Sequence, residues 1–254
     1  MKLGFIGSGK ITSSVVSGVC SSTIPYKSIL ISRRNRNISK KLKKRFRKVN
    51  IAKTNQEIVN KCNWIFLAVT PEVGKKIIPR LRFKPNQKII SFISTINLNQ
   101  LKKYIGKKNK IVRAIPLPPI SLKKGPVPIF PKDKQVKNFF NKIGTTIEIK
   151  NEKLSKNFWA TSALMAPFYE VLKVTSQWLV KRGVNKNESQ KYITSLFSAL
   201  ALDSVNNSVK DLKYLVKESQ TPGGLNEQTV NELRKVKFYK KLEKSLNNIL
   251  KRLN

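Results

Sequence analysis

Residues 2–12 read Lys2-Leu3-Gly4-Phe5-Ile6-Gly7-Ser8-Gly9-Lys10-Ile11-Thr12, and this stretch decides the fold. Lys2–Ile6 is a short β-rich run, and a Gly-x-Gly turn follows at once. Ile11, Val15 and Val19 then recur every four residues as far as Cys20, the spacing of one apolar helix face. Two glycines between a strand and a helix let the backbone turn tightly and bring N–H groups close to a phosphate at the helix N-terminus. Thr12 stands where the third glycine of the usual fingerprint falls, so the motif draws its weight from its place between first strand and first helix. Gly7, Ser8, Gly9, Lys10 and Ile11 are therefore the candidate binding residues for a dinucleotide.

Outward from this turn the same alternation continues. Further β-rich runs are expected at Ser28–Ser32, Trp64–Val69, Lys88–Ser91, Lys110–Ala114 and Thr146–Lys150, with a weaker one at Val49–Ala52, separated by helical patterns. Strands alternating with helices predict an α/β Rossmann-type, doubly wound parallel sheet over residues 1–150. Pro71 suits the first turn of the helix after the fourth strand, where a missing N–H costs nothing. The proline-rich stretch Ile115–Pro131 cannot form a regular helix and is expected to be extended or looped across the sheet edge.

From residue 151 to 254 strand signals cease, which predicts an all-α second domain. Leu154–Arg182 reads as one long helix stopped by Gly183. Asn185-x-x-Glu188 caps a second, running to about Asn207, and two or three shorter helices follow to Leu253. Trp159, Phe168, Tyr169, Trp178, Tyr192 and Phe197 are more aromatic surface than so small a bundle easily hides. They pack either against the first domain or against another subunit.

Composition narrows the chemistry. The chain has no histidine, which excludes Ser-His-Asp and Cys-His catalysis and histidine zinc sites; no metal site is expected. The formal charge is +39 over 254 residues, with basic residues spread from Lys2 to Arg252 and densest in Lys40–Lys48. Such charge attracts anionic nucleotides and substrates. Its even spread reads as lysine-rich composition bias, with a polyanion-binding role as the alternative, and no nucleic-acid partner is expected. Cys20 and Cys62 form neither a metal motif nor a disulfide framework. No apolar run approaches the ~18 residues of a membrane span, and the N-terminus lacks a signal-peptide pattern. A cytoplasmic protein with no membrane partner is expected.

The end of the second strand distinguishes the dinucleotides. An NAD site usually carries an acid about 20 residues past the glycines. Here Ser32-Arg33-Arg34-Asn35 has none, and a hydroxyl with two guanidiniums suits a 2′-phosphate. NADPH is the expected cofactor, although either arginine alone could be one more surface charge.

With these residues in place, the chain resembles pyrroline-5-carboxylate reductase from Met1 to about Leu253. The resemblance is carried by the first strand with its GxG turn, Leu67-Ala68-Val69-x-Pro71, Val112-Arg113-Ala114-Ile115-Pro116, Ala166-Pro167-Phe168-Tyr169, Thr221-Pro222-Gly223-Gly224 and the C-terminal helix with Phe238. It implies that Ala68, Val69 and Pro71 also face the cofactor. It further implies that the helical domain makes a homo-oligomer, a dimer or higher, with the active site between cofactor and helical domain. The implied reaction is reduction of 1-pyrroline-5-carboxylate to L-proline, an imino acid reduction that needs no histidine. Thr221, Gly223, Gly224, Leu225 and Asn226 are then the candidate catalytic residues, the glycines and the helix start offering N–H groups to the substrate carboxylate.

Departures from the family pattern cluster on the substrate side. Leu117-Pro118 stands for Asn-Thr, Leu225-Asn226 for Thr-Thr, Thr70 for a common Lys, and Leu164-Met165-Ala166 for Gly-Ser-Gly. Asn226, Glu227 and Gln228 either replace the lost polar contacts or simply begin a helix. A reductase of another imino or keto acid, and a non-catalytic dinucleotide- or polyanion-binding protein, are the alternatives.

Overall fold

The computed structural model describes residues 1–253 and divides into two units, Met1–Trp159 and Ala160–Asn254. The first unit is built on an eight-stranded sheet: β1 (Lys2–Ile6), β2 (Ser28–Ile31), β3 (Val49–Ile51), β4 (Trp64–Leu67), β5 (Lys88–Ser91), β6 (Lys110–Ala114), β7 (Pro126–Phe130) and β8 (Thr145–Glu148). The order is β3-β2-β1-β4-β5-β6-β7-β8, and every neighbouring pair is parallel except β6 and β7. The helices between strands are α1 (Lys10–Cys20), α2 (Arg36–Arg45), α3 (Asn55–Lys61), α4 (Pro71–Ile77), α5 (Leu98–Ile105) and α6 (Lys134–Phe140).

Strand alternation sorts the side chains into two cores. Leu3, Phe5 and Phe66 face one side, against Val15, Val16 and Val19 of α1 and Phe139 and Phe140 of α6. Phe5 and Phe66 stack with ring centroids 4.4 Å apart. Ile6, Ile65 and Leu67 face the other side, against α3 and α5. This is the doubly wound arrangement, and it reverses direction between β1 and β4, where such sheets bind ligands.

Pro126–Phe130, inside the stretch expected to be looped, is a strand. Its prolines fall on alternate residues, so it can still pair. Gly125 and Ile129 give their carbonyls to N–H groups of the β8 segment, whereas Pro128 gives its carbonyl to Ile115 on the β6 side. The missing proline N–H groups therefore turn toward β6, where the ladder is only two residue pairs long. Ahead of it, Pro118–Leu122 forms a 3₁₀ turn packed on α1. Gly18 makes that packing possible, because a Cβ there would come within 2.4 Å of the Ile120 carbonyl oxygen.

The helix expected over Leu154–Arg182 is broken into α7 (Ser155–Thr161), a 3₁₀ turn at Ser162–Leu164, and α8 (Met165–Lys181). Pro167 explains the break: it cannot donate to the Ala163 carbonyl, and its ring clashes with a continuing helix. Gly183, at φ +93°, ends the run as expected. Asn185 caps α9 (Lys186–Asn206) by accepting the Asn187 N–H at 2.8 Å. Then come α10 (Leu212–Glu218), α11 (Leu225–Lys235) and α12 (Phe238–Leu253). Trp159 and Ser155 are buried in the first unit, which therefore extends past residue 150 to Trp159.

In α8 to α12 the only buried residues among those described are Ser176, Ser189 and Ile193. The Ser189 hydroxyl donates to the Ser176 carbonyl at 2.6 Å and pins α9 to α8. Phe168, Tyr169, Trp178 and Tyr192 stay exposed, Trp178 by 57%.

Candidate dinucleotide site

The first unit holds a cavity of about 550 Å³ at the carboxyl ends of β2, β1 and β4, lined by Gly7, Ser8, Gly9, Arg34, Asn35, Arg36, Asn37, Ala68, Val69 and Thr70. Its floor is the glycine turn. Gly7 lies at φ +109°, and a Cβ on it would sit 2.2 Å from the Ala68 carbonyl oxygen, so only glycine fits between β1 and β4. Gly9, the residue before α1, has an ordinary φ of −85°, and nothing lies within 4 Å of where its Cβ would be. Its bareness leaves room for a ligand to approach the helix N-terminus.

Buried hydroxyls set the turn. Thr12, in place of the third glycine, is fully buried and donates to the Gly7 carbonyl at 2.8 Å. It replaces missing space with a clamp on the loop. Ser32 accepts the Gly7 N–H at 3.0 Å and is itself buried. It therefore lies beneath the turn and does not line the cavity, unlike the expectation that placed it on a phosphate. The Asn35 N–H donates to the Ser8 hydroxyl at 2.9 Å, joining the β1–α1 and β2–α2 loops.

Of the candidates, Gly7, Ser8, Gly9, Arg34, Ala68 and Val69 meet on the cavity wall, while Lys10, Ile11, Arg33 and Pro71 do not line it. Pro71 instead opens α4 at its first position. Asn35, Arg36, Asn37 and Thr70 were missed by the sequence reading. Asn35 caps α2, its Oδ1 accepting the Ile38 N–H at 3.2 Å, and Arg34 and Arg36 on either side of it are exposed at the cavity rim. An Asn before a polar helical run was the available signal. No acid lines this cavity. The open Gly9 and the two rim arginines fit a phosphorylated dinucleotide.

In the second unit, the candidates at 221–226 form the entry to α11. Gly223, at φ +71°, donates its N–H to Glu227 Oε2 at 2.7 Å. The Gly224 N–H donates to the Thr221 carbonyl at 2.8 Å, and Asn226 Nδ2 donates to the Ser219 carbonyl at 2.8 Å. The glycine N–H groups expected to hold a substrate carboxylate are thus engaged by the chain's own groups, with Glu227 as a resident carboxylate. Leu225 is 82% exposed.

Comparison with known proteins agrees with this geometry. Residues 2–97 match the protein family described as NADP oxidoreductase, coenzyme F420-dependent. Pyrroline-5-carboxylate reductase 2 of Bacillus subtilis is 22% identical over 247 residues, 93% of this chain and 88% of that protein. The chain is similar to pyrroline-5-carboxylate reductases along most of its length. The reductase of Arabidopsis thaliana is 28% identical over 123 residues, only 48% of this chain and 44% of its own length. A crystal structure of the Plasmodium falciparum pyrroline carboxylate reductase with NADP bound has a TM-score of 0.83 at 21% identity, covering 100% of this chain and 97% of that one. At that identity the likeness to the reductase establishes the fold. Among the described residues no helix is long and apolar enough to cross a membrane, and no three His, Cys, Asp or Glu side chains gather to hold a metal.

Proposed function

We propose that this chain reduces the C=N bond of 1-pyrroline-5-carboxylate with NADPH, giving L-proline. The observation that carries the reading is the match to a pyrroline-5-carboxylate reductase along 93% of the chain. The glycine cavity with Arg34 and Arg36 at its rim supports the choice of NADPH over NADH. When bound, the nicotinamide supplies a hydride. Added to the carbon of a protonated imine, that hydride would give a secondary amine, with NADP⁺ as the other product.

The chain's own part is binding and placement. Gly7 and Gly9 shape the turn that receives the pyrophosphate, and the fork geometry of Arg34 and Arg36 suits a 2′-phosphate. The first turn of α11 supplies N–H groups for the substrate carboxylate, which competes there with Glu227. No side chain need move a proton, which agrees with a sequence lacking histidine. The exposed aromatic faces of α8 and α9 support assembly with a second copy of the chain.

A second reading, reduction of another imino or keto acid, is favoured by one observation. Leu225 and Asn226 offer no free hydroxyl at the entry to α11, and the Asn226 amide is spent on Ser219. Following NADPH oxidation with 1-pyrroline-5-carboxylate, its six-membered homologue, open-chain ketimines and keto acids decides between the two. Turnover confined to the five-membered imine supports the first, and turnover only elsewhere replaces it.

A further inference from the structure

The cavity covers only part of a dinucleotide. It spans the carboxyl ends of β2, β1 and β4. With the 2′-phosphate end at β2, as the NADPH reading requires, the remaining half runs past β4 toward the ends of β5 and β6. Ile6, Leu67, Ser91 and Arg113 are partners in successive strand pairs and form one row across the sheet. Arg113 thus stands three strand spacings, about 14 Å, from the residue that precedes Gly7.

Arg113 is only 4% exposed. Its Nη1 donates to Glu152 Oε1, its Nη2 donates to the Ser94 carbonyl in the loop after β5, and its guanidinium lies over the Trp159 ring, 4.7 Å from the centroid. Its Nε has no hydrogen-bond partner among the described residues. Glu152 Oε1 also accepts the N–H of Leu98, the first residue of α5, at 2.8 Å. One ion pair therefore grips the β5–α5 loop near its start and at its end, and ties it to β6 and to the segment leading out of the sheet. Burial pulls the Arg113 guanidinium below its ordinary pKa while Glu152 opposes that shift.

Buried ion pairs are weak contributors to stability, and well-packed apolar residues often replace them without loss. What a planar guanidinium adds is fixed direction: its fork holds two acceptors in one plane, which an ammonium cannot do. We infer that Arg113 and Glu152 are a positioning pair that fixes the loop Phe92–Asn97 at the carboxyl edge of the sheet, where the nicotinamide half of the cofactor has to rest to present its hydride. The inference rests on the NADPH reading above. The pair acts through the loop and touches neither cofactor nor substrate.

Arg113→Lys and the milder Glu152→Gln test it in the full chain. For both variants kcat should fall tenfold or more, and the primary isotope effect with NADPH deuterated at the transferred position should rise. The Kd of 2′,5′-ADP, which probes the adenine half alone, should stay within twofold. A kcat within twofold of the parent, or a parallel loss of 2′,5′-ADP binding, overturns the inference. If the parent reduces none of the imines, the proposed function fails, and amide hydrogen exchange at residues 92–97 with NADPH present still decides the placement. Protection in the parent that both variants lose supports it; no protection in the parent sinks it.

Discussion

Gly7 and Gly9 are two residues apart and are glycines for different reasons. Gly7 is needed by the fold, because a methyl there meets the Ala68 carbonyl at 2.2 Å and φ is positive. Gly7→Ala should cost about 2–4 kcal/mol in chemical denaturation. Gly9 is not needed by the fold, since open space surrounds its missing Cβ. Gly9→Val should change stability by no more than about 0.5 kcal/mol yet weaken NADPH binding at least tenfold, as titration of cofactor fluorescence would report. The rim arginines should divide the two cofactors. Each of Arg34→Ala and Arg36→Ala removes a charge-assisted contact worth about 1.5–3 kcal/mol, so KM for NADPH should rise about tenfold or more while KM for NADH barely moves. Equal effects on both cofactors would refute the 2′-phosphate assignment.

At the scale of elements, the entry to α11 is the proposed substrate side. Glu227 occupies the Gly223 N–H, so Glu227→Ala should free that donor and lower KM for a carboxylate substrate several-fold in steady-state assays; a raised KM would give Glu227 a direct binding role instead. The junction of β5 and α6 carries an acid dependence. Burial alone would raise the Asp133 carboxyl, but the Lys88 ammonium and the Val136 N–H together hold it below the usual carboxylate range. A carboxyl depressed in the folded state contributes stability above its unfolded value, about 3.9, and loses it as pH falls through the folded value. Urea midpoints should therefore drop on acidification in that range, and Asp133→Asn should flatten the drop.

The elements themselves were largely legible in the sequence. Each apolar run bounded by glycine or polar residues became a strand, and α1 spans Lys10–Cys20 as its four-residue spacing implied. Strand β7 was hidden because Pro126 and Pro128 advertise a loop, and only the neighbour each backbone edge faces reveals that their missing N–H groups are not needed. The break at Ser162–Leu164 could have been read from Pro167, but the apolar run on both sides outweighed it. In the site, the glycines and Arg34 were visible because local motif grammar places them. Where Ser32 and Glu227 would turn was not legible, because their partners, the Gly7 and Gly223 N–H groups, are fixed by folding rather than by composition.

At the scale of the whole molecule, the second unit leaves large apolar side chains exposed, the kind of surface that an interface between copies would cover. Trp178 and Tyr192 are each more than half exposed. The protein should therefore sediment as a dimer or larger, and Trp178→Asp should shift it toward monomer at micromolar concentration. A parent chain that sediments as a monomer at all concentrations would leave those faces unexplained. The charge of +39 acts over the same scale. It accelerates arrival of anionic ligands at low ionic strength and is screened within about 8 Å at physiological salt.

The contact of Gly18 with the Ile120 carbonyl turns α1 into a fixed strut. With its middle braced by the proline segment and its N-terminal turn clamped by Thr12, the helix would meet an arriving nucleotide as a seat already held in place.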